Sequence, residues 1–242
     1  VGSMIKNSFI FLERIGNTLE QNLWKQGIRD WDDFFKRKYV KGLSFARKKY
    51  YERKIIEARK HLYTFNSHYF SKVLPSTEHW RLYDHFKDDT VFLDIETTGL
   101  TKFHKITVIG LFDGINTKTM IEGINFDERV LRKELEKYKL MVTFNGASFD
   151  LPFIKKQFPD MLPDVPHLDL RHVCARIGLT GGLKKIEAQL GVKRRELVER
   201  MHGGDAVTLW KMYKATGDDH YLNLLVEYNE EDIINLKKIA DH

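Results

Sequence analysis

The chain has 242 residues, of which 42% are hydrophobic and 31% charged, and this excludes a disordered, collagen-like or low-complexity polypeptide. Its single cysteine, Cys174, excludes an internal disulfide and any cysteine-rich zinc or iron–sulfur site, and we expect a cytoplasmic protein. The net charge of +6 favours an anionic partner, and the longest run without Asp, Glu, Lys or Arg, residues 61–71, is too short for a membrane helix of about 18–20 residues.

The first 84 residues predict a basic helical region, with a domain boundary near residue 85. Short helices are expected over 5–35, and the segment 9–35 resembles a single helix-hairpin-helix element. The glycine turn of such an element offers backbone N–H groups to a phosphate, whereas a plain helical hairpin is the alternative. Apolar residues at helical spacing predict a longer helix over 42–63, and 72–89 is expected to be a loop.

A basic band covers residues 36–60. It contains 11 Lys or Arg and 2 acidic residues, a local balance of +9. This density favours a polyanion, because phosphates neutralised by a protein release their counterions; a solvated helix face is the alternative. We expect Lys48, Lys49 and Arg53 to contact substrate. Aromatic residues accompany the band, and most are expected in the core, with one or two left as a stacking platform for bases.

From about residue 85 the pattern changes to strands that alternate with helices. Strands are predicted over 90–96, 105–112, 117–124, 140–143 and 167–170. Helices are predicted over 127–138, 149–158, 183–190, 205–213 and 218–240. Three early strands in a meander, followed by strand–helix alternation and a helical tail, predict an α/β sheet with mixed pairing in a domain of residues 85–242.

Two carboxylates end the first predicted strand. Asp94 and Glu96 are two residues apart, so on a strand both side chains point to one face. They follow apolar residues, where a buried sheet would normally reject charge. Carboxylates at a strand end beside a glycine turn suit a hard divalent cation. The alternative is one solvated acid and one that caps a turn.

Two later segments offer further acids. Asp150 follows a buried strand and stands at the start of a predicted helix, where it could also complement the helix dipole. In the last helix Tyr228 and Asp232 are four residues apart and therefore lie on one face. A core tyrosine beside a surface acid is the alternative there.

Taken together, FLDIETTGL, NGASFDLPFI and YNEED resemble the three exonuclease motifs of the DEDD superfamily, which has a ribonuclease-H-like fold. The match extends from Asp94 to Asp232, and the residues around it resemble the YprB-like branch. Tyrosine stands four residues before the final aspartate, as in the DEDDy subgroup. The histidine subgroup has its histidine five residues before, where this chain has Glu227.

The resemblance implies a role for each matching position. Asp94, Glu96, Asp150 and Asp232 would hold two Mg²⁺ or Mn²⁺ ions, and Tyr228 would orient the attacking water. Two ions roughly 3.5–4 Å apart activate water and support the leaving oxygen. The expected contacts with the 3′-terminal nucleotide are Thr97, Thr98, Gly99, Leu100, Asn145 and Phe149.

The implied activity is 3′→5′ hydrolysis of single-stranded nucleic acid with release of 5′-mononucleotides. The partner would be the 3′ end of single-stranded DNA or RNA, with DNA slightly favoured. No binding to a membrane is expected. Two alternatives stay open: a non-catalytic nucleic-acid-binding module on the same fold, and a structure-specific endonuclease that uses the same metals. The sequence does not indicate the oligomeric state, and a homo-oligomer is possible.

Overall fold

The computed structural model describes residues 4–101, 103–201 and 203–242. The chain divides into two compact units. The first consists of Val1–Lys87 with the short segment Asp164–His167, and the second of Asp88–Pro163 with Leu168–His242. Within the described residues, no helix is long and apolar enough to cross a membrane.

The first unit is helical. Its α-helices are α1 (Asn17–Lys25), α2 (Trp31–Lys36), α3 (Phe45–Tyr63), α4 (Ser67–Val73) and α5 (Tyr83–Phe86), with 3₁₀ helices at Met4–Asn7 and Ser76–Leu82. The predicted helix 42–63 begins later, at Phe45, because the Ser44 side chain accepts a hydrogen bond from the Arg47 N–H and caps it. The predicted loop 72–89 is wrong, since Leu82, Tyr83 and Phe86 are buried at helical spacing.

A buried ion pair holds the beginning of this unit to its end. Arg81 donates from Nη2 to Glu20 Oε2 at 2.9 Å and from Nη1 to Oε1 at 3.1 Å. Glu20 also accepts the backbone N–H of Phe9 at 2.6 Å. Both charged side chains are almost completely buried, so the loss of either one would leave the other as a buried charge without this partner. The pair therefore ties α1 to the Ser76–Leu82 segment.

The second unit contains a mixed sheet, which confirms the predicted α/β fold. Within the described residues its strands are β1 (Thr90–Thr97), β2 (Ile106–Phe112), β3 (Thr117–Ile121), β4 (Leu140–Thr143) and β5 (His167–Asp169). Their order is β3-β2-β1-β4-β5. Strand β1 pairs antiparallel with β2 and parallel with β4. The carboxyl ends of β1 and β4 therefore meet at one edge of the sheet.

Helices cover this sheet. They are α6 (Glu128–Leu135), α7 (Asp150–Gln157), α8 (Leu170–Arg176), α9 (Leu183–Gln189), α10 (Glu196–Glu199), α11 (Gly203–Thr216) and α12 (Asp219–Asp241). The longest, α12, begins where the Asp218 side chain accepts the His220 N–H, and it packs across β1 and β2. Its inner face buries Leu225, Ile233 and Leu236. The last predicted helix is thus the one that carries YNEED onto the sheet.

One glycine permits the close approach of α12. Gly110 of β2 is paired with Asp94 of β1, and a Cβ atom at position 110 would lie 1.9 Å from Asn229 Oδ1. No side chain fits in this space unless Asn229 moves. The absence of a side chain at Gly110 therefore sets the distance between α12 and the strand that carries Asp94.

Replacing Gly110 by alanine should lower the free energy of unfolding by about 1–3 kcal/mol, because the methyl group overpacks a filled interface. Urea unfolding measures this change. Gly204→Ala is the matched control, since nothing lies within 4 Å of a Cβ there and its helical position accepts alanine. Equal stability of the two variants would contradict a tight contact at Gly110.

Candidate active site

Strand β1 presents two carboxylates to one cavity. Asp94 and Glu96 alternate with the buried residues Leu93, Ile95 and Thr97, so their side chains share the opposite face. The β1–β2 register shifts between Glu96 and Thr97. Such an irregularity redirects side chains at a strand end. Both acids are half-buried beside the start of the loop that follows the strand.

The third predicted acid arrives from β4. The turn after this strand leads into α7, whose first residue is Asp150, and that carboxylate is buried. Its Oδ1 atom accepts the backbone N–H of Ile95 at 3.1 Å. Ile95 lies between Asp94 and Glu96 in the chain. This hydrogen bond therefore anchors Asp150 directly beside the two acids of β1.

Helix α12 supplies the remaining pair. Tyr228 and Asp232 lie one helical turn apart, and both side chains are buried on the face that meets the sheet. The cavity of about 400 Å³ that all five residues line is open to solvent. Its described lining also includes Thr97, Leu100, Phe144, Asn145, Phe149 and Val207. Residues 138 positions apart in the chain thus meet in one place.

Three of the acids are close enough to share a cation. Asp94, Glu96 and Asp232 each offer an oxygen atom, and these atoms all lie within 4.8 Å of one another. Only oxygen donors converge in this group, which is the chemistry preferred by hard divalent ions such as Mg²⁺ and Mn²⁺. Asp150 is not part of this trio, and its Oδ1 atom accepts the Ile95 N–H. The residues present therefore fit a divalent metal.

The pocket raises the pKa of every one of these acids. Burial is the largest cause for Asp94 and Glu96, and repulsion from the neighbouring carboxylates raises the pKa of both further, well above the usual range. Burial raises the pKa of Asp150 to about 7 and that of Asp232 to about 6. Without a cation, the fully ionised set is electrostatically unfavourable.

Arg194 is a site residue that the sequence did not reveal. Its guanidinium is buried, with Nη1 2.5 Å from Asp232 Oδ1, and it forms two contacts of 2.5 and 2.7 Å with Glu187 of α9. The positive charge opposes the rise in the pKa of Asp232. In the sequence Arg194 belongs to the run Lys193-Arg194-Arg195, which looks like an ordinary solvated basic segment.

Asn229 is the second residue that was missed. It is fully buried, and its Nδ2 donates to Asp94 Oδ2 at 2.9 Å. This hydrogen bond favours the ionised form of Asp94 and opposes the rise in its pKa. Asn229 lies three residues before Asp232 and hence on the same helix face, and that spacing was the available signal.

Two cations also lie against the tyrosine ring. Lys184 Nζ is 5.5 Å and Arg194 Cζ 5.9 Å from the ring centroid of Tyr228. At these distances the ring attracts positive charge. Lys184 also donates to the carbonyl oxygens of Val198 and Glu199 at 3.0 and 3.1 Å. The segment from α9 to α10 therefore supports the position of Tyr228.

The expected nucleotide contacts divide into two groups. Thr97, Leu100, Asn145 and Phe149 line the cavity with the acids, whereas Thr98 and Gly99 are not among its described lining residues. Asp169 holds the Asn145 turn: its oxygens accept the N–H groups of Asn145 and Ala147 at 2.8 and 3.1 Å. Asp169 lies in the short strand predicted over 167–170, and these contacts give it a supporting role.

The basic residues expected to contact substrate lie on α3 of the first unit. Lys48 is only 5% exposed, and its ammonium pairs with Glu52. A buried, paired ammonium is not free to neutralise a phosphate, so the expectation for Lys48 is corrected. Lys49 and Arg53 are exposed and stay predicted contacts. The sequence did not distinguish them, because the two neighbouring lysines differ only in the helix face they occupy.

Comparison with known proteins extends these observations. A family model of the RNase_H superfamily matches residues 91–242, more than half of the chain. No curated protein matches the chain.

Solved structures are similar to this chain at low sequence identity. The family B DNA polymerase from the hyperthermophilic archaeon Pyrobaculum calidifontis is 14% identical with a TM-score of 0.51, over 63% of this chain and 24% of the polymerase chain. Brucella melitensis NrnC is 18% identical with a TM-score of 0.44, over 66% of this chain and 74% of NrnC. Brucella melitensis NrnC bound to pGG is 20% identical with a TM-score of 0.45, over 66% of this chain and 73% of NrnC. This chain thus spans about a quarter of the polymerase.

A divalent cation should raise the melting temperature more at high pH than at low pH. Raised carboxyl pKa values mean that the metal-free folded state holds protons that the unfolded state has released, so its stability falls as pH rises from about 4 to about 7. A bound cation removes this penalty. Thermal melting with Mg²⁺, Mn²⁺ or EDTA across this range tests the expectation, and an equal shift at all pH values would contradict it.

Removing the charge of Arg194 should destabilise the metal-free protein. Arg194→Gln leaves Glu187 and Asp232 buried without their partner, a change that typically lowers the free energy of unfolding by about 3–5 kcal/mol. Urea unfolding in EDTA measures it. The double variant Arg194→Gln/Glu187→Gln is the control, because it removes one charge of each sign and should be more stable than the single variant. A double variant less stable than the single variant would show that Arg194 does not neutralise the charge of these acids.

Proposed function

We propose that this chain, which belongs to the RNase_H superfamily, is a metal-dependent 3′→5′ exonuclease that hydrolyses single-stranded nucleic acid and releases 5′-mononucleotides. One observation carries the proposal: Asp94, Glu96 and Asp232, from distant parts of the chain, converge within 4.8 Å in an open cavity that Asp150 and Tyr228 also line. Within the superfamily we place the chain in the DEDDy subgroup and its YprB-like branch, on the motifs FLDIETTGL, NGASFDLPFI and YNEED.

Asp94, Glu96, Asp150 and Asp232 would hold two ions, Mg²⁺ or Mn²⁺. When bound, such ions supply charge stabilisation and a more acidic water for phosphodiester hydrolysis. Asp94 is oriented for this role by Asn229, and Asp232 by Arg194. Asp150, anchored on the Ile95 N–H, would act at a greater distance than the trio, in keeping with a role through a coordinated water.

Tyr228 would orient the attacking water by hydrogen bonding and not by accepting its proton. Burial is the largest cause that raises the pKa of its phenol, and the negative charge of Asp232 and Glu96 adds to it. The hydroxyl therefore stays protonated at physiological pH. A protonated phenol can donate one hydrogen bond and accept others, which suits positioning.

The terminal nucleotide would lie in the same cavity. Thr97, Leu100, Asn145 and Phe149 provide backbone, amide and apolar surface beside the acids. Leu100 is 80% exposed, so its side chain is available to contact a base or sugar. DNA is slightly favoured over RNA as substrate, because no residue is identified that reads a 2′-hydroxyl.

Hydrolysis of end-labelled oligonucleotides tests the proposal. With Mg²⁺ or Mn²⁺ the protein should shorten single-stranded DNA or RNA from the 3′ end, and EDTA or Asp94→Ala should abolish the reaction. Glu136→Ala, an exposed acid of the same unit, is the matched control and should keep full activity. Cleavage of circular or 3′-blocked strands would indicate an endonuclease, and an intact substrate under all conditions would leave only a binding module.

Tyr228→Phe should lower kcat on the order of 100-fold with little change in KM. The substitution keeps the buried ring and its contacts with Lys184 and Arg194 but removes the hydroxyl that would orient water. Steady-state kinetics measure the effect, and a melting curve shows whether the fold is retained. Full activity of a stably folded Tyr228→Phe variant would exclude the proposed role.

A further inference from the structure

Helix α3 has two contrasting faces. One packs into the first unit with the buried residues Lys48, Tyr51, Ile55, Ala58 and Leu62. The other is exposed and consists of six residues spaced four, four, three, four and three positions apart, which places them on a single side of the helix. We call this set the α3 stripe: Phe45, Lys49, Arg53, Ile56, Lys60 and Tyr63.

The apolar members of the α3 stripe are unusually exposed. Phe45 is 74%, Ile56 57% and Tyr63 86% exposed. At 1.5 Å per residue the stripe extends over about 27 Å. Single exposed apolar residues are ordinary, but three on one helix face that has no partner within the described residues are typical of a surface that binds a ligand.

The remaining members of the stripe are all cations. Lys49 and Arg53 lie between Phe45 and Ile56, and Lys60 lies between Ile56 and Tyr63; none of the six positions is acidic. The two acids of the helix lie beside the stripe: Glu52 pairs with the buried Lys48 and also with Lys49 of the stripe at 2.8 Å, and Glu57 pairs with Lys54 at 3.0 Å. The stripe therefore carries a charge of +3 over its length.

We propose that the α3 stripe binds single-stranded nucleic acid. An unpaired strand offers both phosphates and free base faces, and the stripe offers cations interspersed with large apolar groups. Bases would stack on Phe45 and Tyr63, while Lys49, Arg53 and Lys60 would neutralise phosphates. This second contact surface lies on the unit that does not carry the acids, and it rests on the proposed function only for the class of ligand.

Binding of the full-length chain to a fluorescent oligothymidylate, followed by anisotropy in EDTA over a salt series, tests the charges. Lys49→Glu/Arg53→Glu/Lys60→Glu should weaken binding on the order of 10- to 100-fold and reduce the salt slope by about two. The matched control reverses three exposed lysines elsewhere in the same unit, Lys6, Lys25 and Lys72, and so makes the same change in net charge. It should weaken binding much less.

A second variant tests the stacking surface. Phe45→Ala/Ile56→Ala/Tyr63→Ala leaves every charge in place and alters only exposed side chains, so the fold should be retained, as a melting curve shows. Affinity for the single strand should fall roughly tenfold for each aromatic ring removed. Affinity for a duplex of the same length should change little, because its base faces are already stacked.

Three results would overturn this inference. They are no binding of the wild-type chain in EDTA, an equal loss in the stripe and control charge variants, and unchanged affinity of the apolar variant. The first would reassign the stripe to an acidic protein partner. Because binding is measured without metal, the two proposals can fail separately. If the chain binds the single strand but never hydrolyses it, only the proposed function is refuted. If the chain hydrolyses the strand and its stripe variants bind normally, only this inference is refuted.

Discussion

The burial of several carboxylates beside one another is the constraint on which the second unit depends. Four acids share one cavity, and burial is the largest cause that raises the pKa of each, with repulsion from neighbouring carboxylates as a further cause. The protein opposes this repulsion with a fixed donor at three of them: Asn229 at Asp94, the Ile95 N–H at Asp150, and Arg194 at Asp232. These contacts hold the carboxylates in place, but they supply only one full positive charge, which Arg194 also shares with Glu187.

The backbone architecture serves the same constraint. Parallel pairing of β1 with β4 brings Asp150 beside the acids of β1, and the unoccupied space at Gly110 lets α12 approach closely enough for Asn229 to reach Asp94. Arg194, in the segment after α9, contacts Asp232. A divalent cation bound to Asp94, Glu96 and Asp232 would neutralise negative charge that the neighbouring side chains do not neutralise.

The sequence was informative where chemistry is encoded in local spacing. The i, i+2 acids of β1 and the i, i+4 pair on α12 could be placed on common faces from periodicity alone, and strand–helix alternation predicted the mixed sheet. Asp150 could be placed at the start of its helix because Asn145-Gly146 breaks the preceding strand. The structure brings these five side chains together, while their catalytic roles stay predictions.

Long-range partners could not be read in the same way. Arg194 looks like one member of a surface lysine–arginine run, and only the packing of α9 against α12 shows that it is buried between two acids. Lys48 and Lys49 are adjacent in the sequence, yet one is buried and the other exposed, because a single step along a helix changes the face. The prediction of a loop over 72–89 was wrong, because the helical segments Ser76–Leu82 and Tyr83–Phe86 bury Leu82 and Phe86.

The most direct test of the central claim is anomalous diffraction from crystals grown or soaked with Mn²⁺. We predict manganese density among Asp94, Glu96 and Asp232, with carboxylate oxygens as its protein ligands and a second ion close by. The same experiment on Asp94→Asn should show weaker density or none. Manganese bound elsewhere while the cluster of acids stays empty would contradict the account.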